Sequence, residues 1–376
     1  MPSDNSNLIK TSNFESYFLQ YSEWTQFWQS VNDKPHKILN FQVSNQKFAL
    51  STIIYQYPWY FGQKFWYLAK GGVLSPQPIG NIDMETKNRV HNKWNDISKN
   101  DLENLFWQLN QEIYKQAKQQ GICYIKANWE EGLTQKLELQ NNLDLLNFYK
   151  NNYSGVKISN KIIQYLQTMT LDMTLIPQGR VFELSQLAEF YEYSKPLWNT
   201  TNSNVKRYTK KSLNLGWQIS IDKTDENFEA FWQVYSDTKD RQDFVTQTKQ
   251  YTRQLFDQDF SRIIILRNGA GEPCCVWQGI VFGNTFVYLS GGNNQYSFDN
   301  YGQYLMHLVA IWLGYSENLT VYDLGGYDKT KGFGRFKENY KGQIRTFLGN
   351  IDIPVNKLGF KIIDSGIELI KNIKGK

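Results

Sequence analysis

DLGGYDKTKGFGRFKENYKG, residues 323–342, follows an apolar run at 319–324 that reads as a strand. Glycines at 325, 326, 332, 334 and 342 let the backbone turn and approach a ligand without side-chain clash. Between them stand Lys329, Lys331, Arg335, Lys337 and Lys341, opposed by Asp328 and Glu338. A pliable backbone with converging cations just past a strand end suits a phosphate or a developing negative charge. The same residues also fit a glycine-rich surface turn with solvated lysines. No Gly-Lys-Ser/Thr triplet follows Gly326 at phosphate-loop spacing, and GFG at 332–334 does not continue into a dinucleotide fingerprint.

Working back from this stretch, residues 300–313 read as a helix that Asn300 and Gln303 can cap. Two strands at 274–282 and 285–290 meet at a Gly283-Asn284 hairpin, with a further strand at 262–266. Residues 206–212 read as a basic helix, and 161–175 as a strand. In the first half, strands at 46–57 and 65–68 lead to Gly71-Gly72. After a loop at 75–100, Asp101 is placed as the cap of a helix to about 120, with Leu102, Leu105, Phe106, Leu109, Ile113 and Ala117 on one face. FWYLAKGG at 65–72 echoes FVYLSGGN at 286–293, and each is followed by a loop, a helix and a short strand. Two copies of one mixed α/β unit account for this echo.

At 376 residues, 41% hydrophobic and 16% aromatic, the chain can bury two cores. The net charge of +5 is too small to argue for nucleic acid alone, but residues 193–221 carry five basic side chains and no acidic one. Cys123, Cys274 and Cys275 lack metal-ligand spacing and read as buried thiols, and His36, His91 and His307 are scattered, so no metal site is expected. The polar beginning MPSDNSN is unlike a signal peptide, and no apolar run approaches the roughly 18 residues of a membrane span. A cytoplasmic protein is expected, whose lysine-rich end offers peripheral contact with the inner membrane face.

The order of elements resembles two acyltransferase-like (GNAT) domains in tandem. The pyrophosphate-binding turn of that fold is absent from the corresponding helix start, DNYGQYLMHL at 299–308. The chain more specifically resembles the Fem-type (FemABX) peptidoglycan-bridge aminoacyltransferases. NVKRYTKK at 204–211 resembles that family's basic N-I-R-x-x-x-K-K helix, Thr238 to Arg241 its T-x-x-R, and residues 322–342 its Y-D-F-G-G…G…F-K-x-x-F-G closing motif. In the first half YLAKGGV at 67–73 resembles Y-x-P-R-G-P-V, with Gly72 in place of the proline. The long coiled-coil arm of some members is missing, since about twenty residues separate Arg241 from the next strand.

The resemblance implies a first domain of residues 1–162 plus 347–376 and a second of 163–346, the last segment packing on the first domain through Leu358, Ile362, Ile363, Ile367 and Ile370. It implies transfer of an amino acid from aminoacyl-tRNA to the stem peptide of a lipid-linked or nucleotide-linked peptidoglycan precursor, with no cofactor. Phe27 and Trp28 stand where nucleotide-using members carry a phosphate-binding basic residue. Lys337 takes the place of the family's FK lysine and is expected to stabilise developing charge, with Phe333 and Phe336 anchoring its turn. Lys206, Arg207 and Lys210 are the candidates for precursor phosphates, against a plain solvated helix face. Tyr288 is a candidate for the acceptor cleft, against cross-strand packing, and Lys70 is a further candidate on the Gly-Gly loop. His307 reads as packing rather than catalysis. Two rival functions share the fold: a coenzyme A-dependent acyltransferase, and a non-catalytic protein that binds RNA or wall precursor.

Overall fold

The computed structural model describes residues 18–20, 22–32, 36–58, 62–76, 96–159, 163–242 and 247–361. They fall into two units, one drawn from Met1–Leu166 and Thr346–Lys376, the other from Gln167–Arg345.

Unit 1 holds helix α1 (Ser22–Val31), strands β1 (Lys37–Ser44), β2 (Phe48–Pro58), β3 (Lys64–Gly71) and β4 (Val73–Pro76), then α2 (Lys99–Gln119), β5 (Tyr124–Trp129), α3 (Glu131–Lys136), α4 (Asn142–Lys150), β6 (Lys157–Ile158) and, from the far end of the chain, β14 (Ile351–Pro354). Its sheet runs β1-β2-β3-β5-β14-β6, with β4 also on β2. The pair β3 and β5 is parallel and its neighbours are antiparallel, so a helical crossover must join the two. That crossover is α2, whose expected apolar face is buried against Trp66, Leu68, Ile125 and Ala127. Its cap is Ser98, not Asp101: the Ser98 hydroxyl accepts the Asp101 N–H, which places Asp101 inside the first turn. Phe27 and Trp28 of α1 are core residues.

β14 is held by a cross-strand charge pair. Asp352 lies opposite Lys126, their side chains 2.6 Å apart and nearly dry, with Ser159 on the same amine. Beyond it Leu358 is exposed and Phe360 is buried against Tyr124. Ile362, Ile363, Ile367 and Ile370 lie outside the described residues.

Unit 2 begins with β7 (Gln167–Asp172), followed by α5 (Leu187–Tyr193), α6 (Lys195–Asn199), α7 (Ser203–Leu213), β8 (Gln218–Ser220), α8 (Asp225–Gln242) and α9 (Lys249–Phe256). Then come β9 (Ser261–Arg267), β10 (Pro273–Phe282), β11 (Thr285–Asn293), α10 (Gln295–Asp299), α11 (Gly302–Ser316), β12 (Val321–Gly326), α12 (Gly332–Glu338) and β13 (Gln343–Thr346). The sheet order is β13-β7-β12-β11-β10-β9-β8. Again one parallel pair, β11 and β12, is joined by a helix, α11, which is buried nearly all round because it is apolar all round. Their ladder holds three residue pairs, ending at Val287 opposite Asp323. The two sheets therefore repeat one plan, and β14 stands beside β5 as β7 stands beside β12, each antiparallel.

Two local expectations are corrected. The cap of α11 is Tyr301 in the left-handed region (φ 59°) with no side-chain bond, while Asn300, which closes α10, donates its side-chain amide back to the Tyr296 carbonyl of that helix. GFGRFKE at 332–338 is a helix rather than a turn. Its Gly334 lies against the backbone before it, where an added Cβ would stand 1.8 Å from the Asp328 carbonyl oxygen.

Candidate functional site

The end of β12 and the start of α12 bring the decisive lysine inward. Lys337 is only 6% exposed, and its Nζ donates to the Gly326 carbonyl at 2.6 Å. The amine sits 5.7 Å from the centre of the Tyr288 ring and 5.2 Å from that of Phe333. Burial pulls its pKa down to about 8, against the opposing pull of Asp323. Asp323 is itself buried, and its carboxylate accepts the Gly325 N–H at 2.7 Å. Gly325 takes φ +76°, and a Cβ there would stand 2.5 Å from the Tyr288 carbonyl oxygen, so no other residue fits this approach of β12 to β11. Phe333 does not anchor the segment in the core as expected. It is 39% exposed beside the amine, and Phe336 packs against the core instead.

Tyr288 shows the cross-strand packing weighed for it and also meets Lys337. It stacks on Trp277 across the strands, centroids 5.7 Å apart and planes within 7°, and it faces the Lys337 amine. Burial holds its hydroxyl protonated, well above the ordinary tyrosine range. Behind the lysine lies a buried chain of polar side chains. Trp277 Nε1 donates to the Tyr322 hydroxyl at 3.1 Å, and that hydroxyl meets His307 Nδ1 at 2.7 Å. Burial, with Lys337 nearby, lowers His307 to about 3.

Helix α7 carries the basic candidates. Arg207 is exposed and donates to Asn204 at 3.0 Å and to the Tyr208 hydroxyl at 2.8 Å. Lys206 is half-buried, and Lys210 lies 3.5 Å from Glu192, which also holds Lys195. Tyr208 stacks on Tyr301 at 4.2 Å and meets Tyr304, which in turn meets Phe336 next to Lys337. The basic helix and the lysine helix are thus neighbours through aromatic packing. Asn202, at the start of α7, is also bonded to Asn339, at the end of α12.

Lys70 lies in unit 1, in strand β3 rather than on a loop. It is 1% exposed with φ 48°, and its amine rests 3.5 Å from the Phe347 ring centre. Among the described residues no group of three or more His, Cys, Asp or Glu could hold a metal ion. No described helix is long and apolar enough to cross a membrane. Sequence reasoning passed over Asp323, Trp277, Asn202 and Asn339. Only Asp323 carried a signal, an acid at the end of an apolar strand.

Two mixed sheets, each built on one parallel pair with a helical crossover, define a tandem GNAT-like protein. Residues 278–365, which include Tyr288, His307 and Lys337, match the model of the FemAB family. The whole chain is also similar in fold to the crystal structure of FemX, at 13% identity and a TM-score of 0.67 over 94% of this chain and 96% of that one. Over residues 278–365 the chain is thus FemAB-like in sequence, and over its described length it is FemX-like in fold. Weaker similarities reach L-PGS from Bacillus licheniformis (10% identity, TM-score 0.48, 85% of each chain) and a tandem GNAT protein from the clavulanic acid biosynthesis pathway (8%, 0.46, 88% and 86%). No curated protein sequence matches the chain. The match of residues 278–365 to the FemAB family supports a transferase.

Proposed function

We propose that the protein moves an amino acid from aminoacyl-tRNA to the amine of a peptidoglycan stem peptide, carried on a lipid-linked or nucleotide-linked precursor in the cytoplasm. The observation that carries this reading is the buried Lys337 amine beside a strand end, within the segment matched to the FemAB family. In the reaction the acceptor amine attacks the ester carbonyl, a C–N bond forms, and the C–O bond to the tRNA ribose breaks. The amine loses a proton and the ribose hydroxyl gains one. The ester is already activated, so catalysis reduces to positioning two substrates and stabilising the oxyanion of the tetrahedral intermediate.

An ammonium group in a dry site stabilises that oxyanion far better than one in water. Lys337 has this setting, with Tyr288 as a wall beside it. Lys206, Arg207 and Lys210 on α7 supply the charge for precursor phosphates, and the aromatic packing through Tyr208, Tyr304 and Phe336 keeps that helix next to the lysine. The test is transfer of labelled amino acid from charged tRNA to a stem-peptide precursor by the purified chain. Product formation that Lys337→Ala slows by about a hundredfold or more supports the reading. No transfer from a full set of charged tRNAs, with stabilisation by acetyl-CoA in a thermal-shift assay, would replace it with the coenzyme A reaction.

A further inference from the structure

The proton count along Trp277, Tyr322 and His307 fixes more than packing. An indole N–H can only donate, so the Tyr322 oxygen accepts at its contact with Trp277. The tyrosine has one proton left to place. Among the described residues its only acceptor within hydrogen-bond reach is His307 Nδ1. The imidazole therefore carries its hydrogen on Nε2 and none on Nδ1, and it is uncharged. Among the described residues this tautomer leaves one polar group, Nε2–H, without a hydrogen-bond partner, whereas the opposite one leaves two, the tyrosine proton and the Nε2 lone pair.

This imidazole stands where it can hold the lysine helix. Its ring meets Tyr288 edge-on at 5.8 Å, Phe336 at 5.6 Å and Tyr340 at 5.3 Å. Phe336 precedes Lys337 in α12, and Tyr288 is the ring that faces the lysine amine. The titratable groups facing that amine are Asp323 from β12, Tyr288 from β11 and His307 from α11, and those facing the imidazole include Tyr322 from β12 and Tyr340 just after α12.

We propose that His307 is a positioning residue for Lys337: tethered as an uncharged ring by Tyr322, it seats Phe336 and Tyr288 so that the lysine amine stays dry against the Gly326 carbonyl. The proposal rests on the reading of Lys337 as the reactive cation. Tyr322→Phe orphans the indole N–H and Nδ1, and His307→Leu orphans the Tyr322 proton; in either case the unpaired buried groups draw water into the site. Water relieves the burial that depresses the lysine, so its titration moves upward.

Two measurements on the full chain decide it, neither of which requires aminoacyl transfer. The chain has three histidines, so 15N-histidine NMR resolves His307 directly. The Nε2–H tautomer, uncharged to about pH 5, is expected. A protonated ring at pH 6, or the Nδ1–H tautomer, overturns the proposal. The second measurement is the titration of Lys337 followed with 13Cε-labelled lysine, its signal assigned by its absence in Lys337→Arg. Tyr322→Phe and His307→Leu should each raise the midpoint by about one pH unit, tenfold less uncharged amine at a given pH. His307→Asn, whose side-chain oxygen can replace Nδ1 as acceptor, should restore the original midpoint. A midpoint unmoved in both disrupting variants, or moved as far in His307→Asn as in His307→Leu, overturns it. If the wild type transfers no amino acid, the proposed function falls while these titrations still decide the role of His307. Where it does transfer, the two disrupting variants should lower kcat and leave KM unchanged.

Discussion

The Asn202 side chain donates to the Asn339 side-chain carbonyl at 3.1 Å, and the Asn202 backbone N–H donates to the Asn339 backbone carbonyl at 2.8 Å. The residue that opens the basic helix is thereby fastened to the residue that closes the lysine helix. Asn339→Ala removes the side-chain half of this clasp and keeps the backbone half. It should cost about 0.5–1.5 kcal/mol in denaturant unfolding. It should also raise the precursor KM several-fold while kcat changes little. A kcat loss larger than the KM change would show that the clasp serves the lysine rather than the phosphate-binding face.

Lys337→Ala should lower kcat by about a hundred- to a thousandfold, the loss seen when one stabiliser of an oxyanion is removed, and should leave both KM values nearly unchanged. Lys337→Arg should recover part of the rate, because the charge returns without the point geometry. Steady-state kinetics of both variants check this. Loss of tRNA affinity with an intact rate would instead make the lysine an RNA-end contact.

The same lysine sets two pH dependences of opposite use. Transfer that needs the ammonium form should decline as pH rises past about 8, the pKa to which burial brings Lys337. Stability should move the other way. The folded pKa of about 8 lies below the ordinary lysine value of 10.5, so between them the unfolded chain binds more protons and stability rises with pH. Lys337→Met removes the buried charge. It should unfold at higher denaturant than wild type at pH 7, with the advantage shrinking as pH passes from 8 toward 10.

Arg207 and Lys206 carry no core packing that their removal would ruin, since Arg207 is exposed and Lys206 half-buried on α7. The double alanine variant should fold normally and bind precursor more weakly. Each charge-assisted hydrogen bond to phosphate is worth about 1.5–3 kcal/mol, roughly ten- to a hundredfold in affinity. Calorimetric titration with precursor, at two salt concentrations, reads both the weakening and its ionic origin. Unchanged affinity would remove α7 from the acceptor site.

Gly334→Ala should damage the site from a distance. Its methyl would stand 1.8 Å from the Asp328 carbonyl oxygen, a backbone atom that cannot swing aside. The clash should cost about 1–3 kcal/mol and displace Lys337. The melting temperature followed by circular dichroism and the rate of transfer should fall together. Gly332→Ala, where a Cβ meets nothing within 4 Å, is the matched control and should behave as wild type.

The sequence disclosed the parts whose periodicity follows from burial. The face of α2 from Leu102 to Ala117 is legible because every buried position repeats at helical spacing. The echo between FWYLAKGG and FVYLSGGN is legible because β3 and β11 hold the same place, each parallel to the strand after a crossover helix. What stayed hidden depends on contacts distant in sequence. KILNFQVS forms β1 although half its residues are exposed, because β2 supplies the ladder. Residues 332–338 look like a loop, since two glycines within three residues have low helical preference, yet packing of Phe336 and burial of Lys337 make the turns. Asn202 and Asn339 are 137 residues apart, and no local pattern marks such a pair. His307 was read as packing from its place in an apolar helix, and only the Tyr322 hydroxyl shows that its tautomer is specified.

Strand β14 bears on the order in which a growing chain can fold. Its partners β5 and β6 are synthesised before any of unit 2, whereas β14 follows the last strand of the second sheet. A nascent chain that has emerged as far as Thr346 contains every described strand of the second sheet, yet the strand that closes the first is still to come. Until then Lys126 lacks Asp352, its buried counter-charge, and β5 presents an open edge. The ribosome thus delivers the later unit complete while the earlier one is still unfinished, reversing the N-terminal-first order usual for chains of tandem domains.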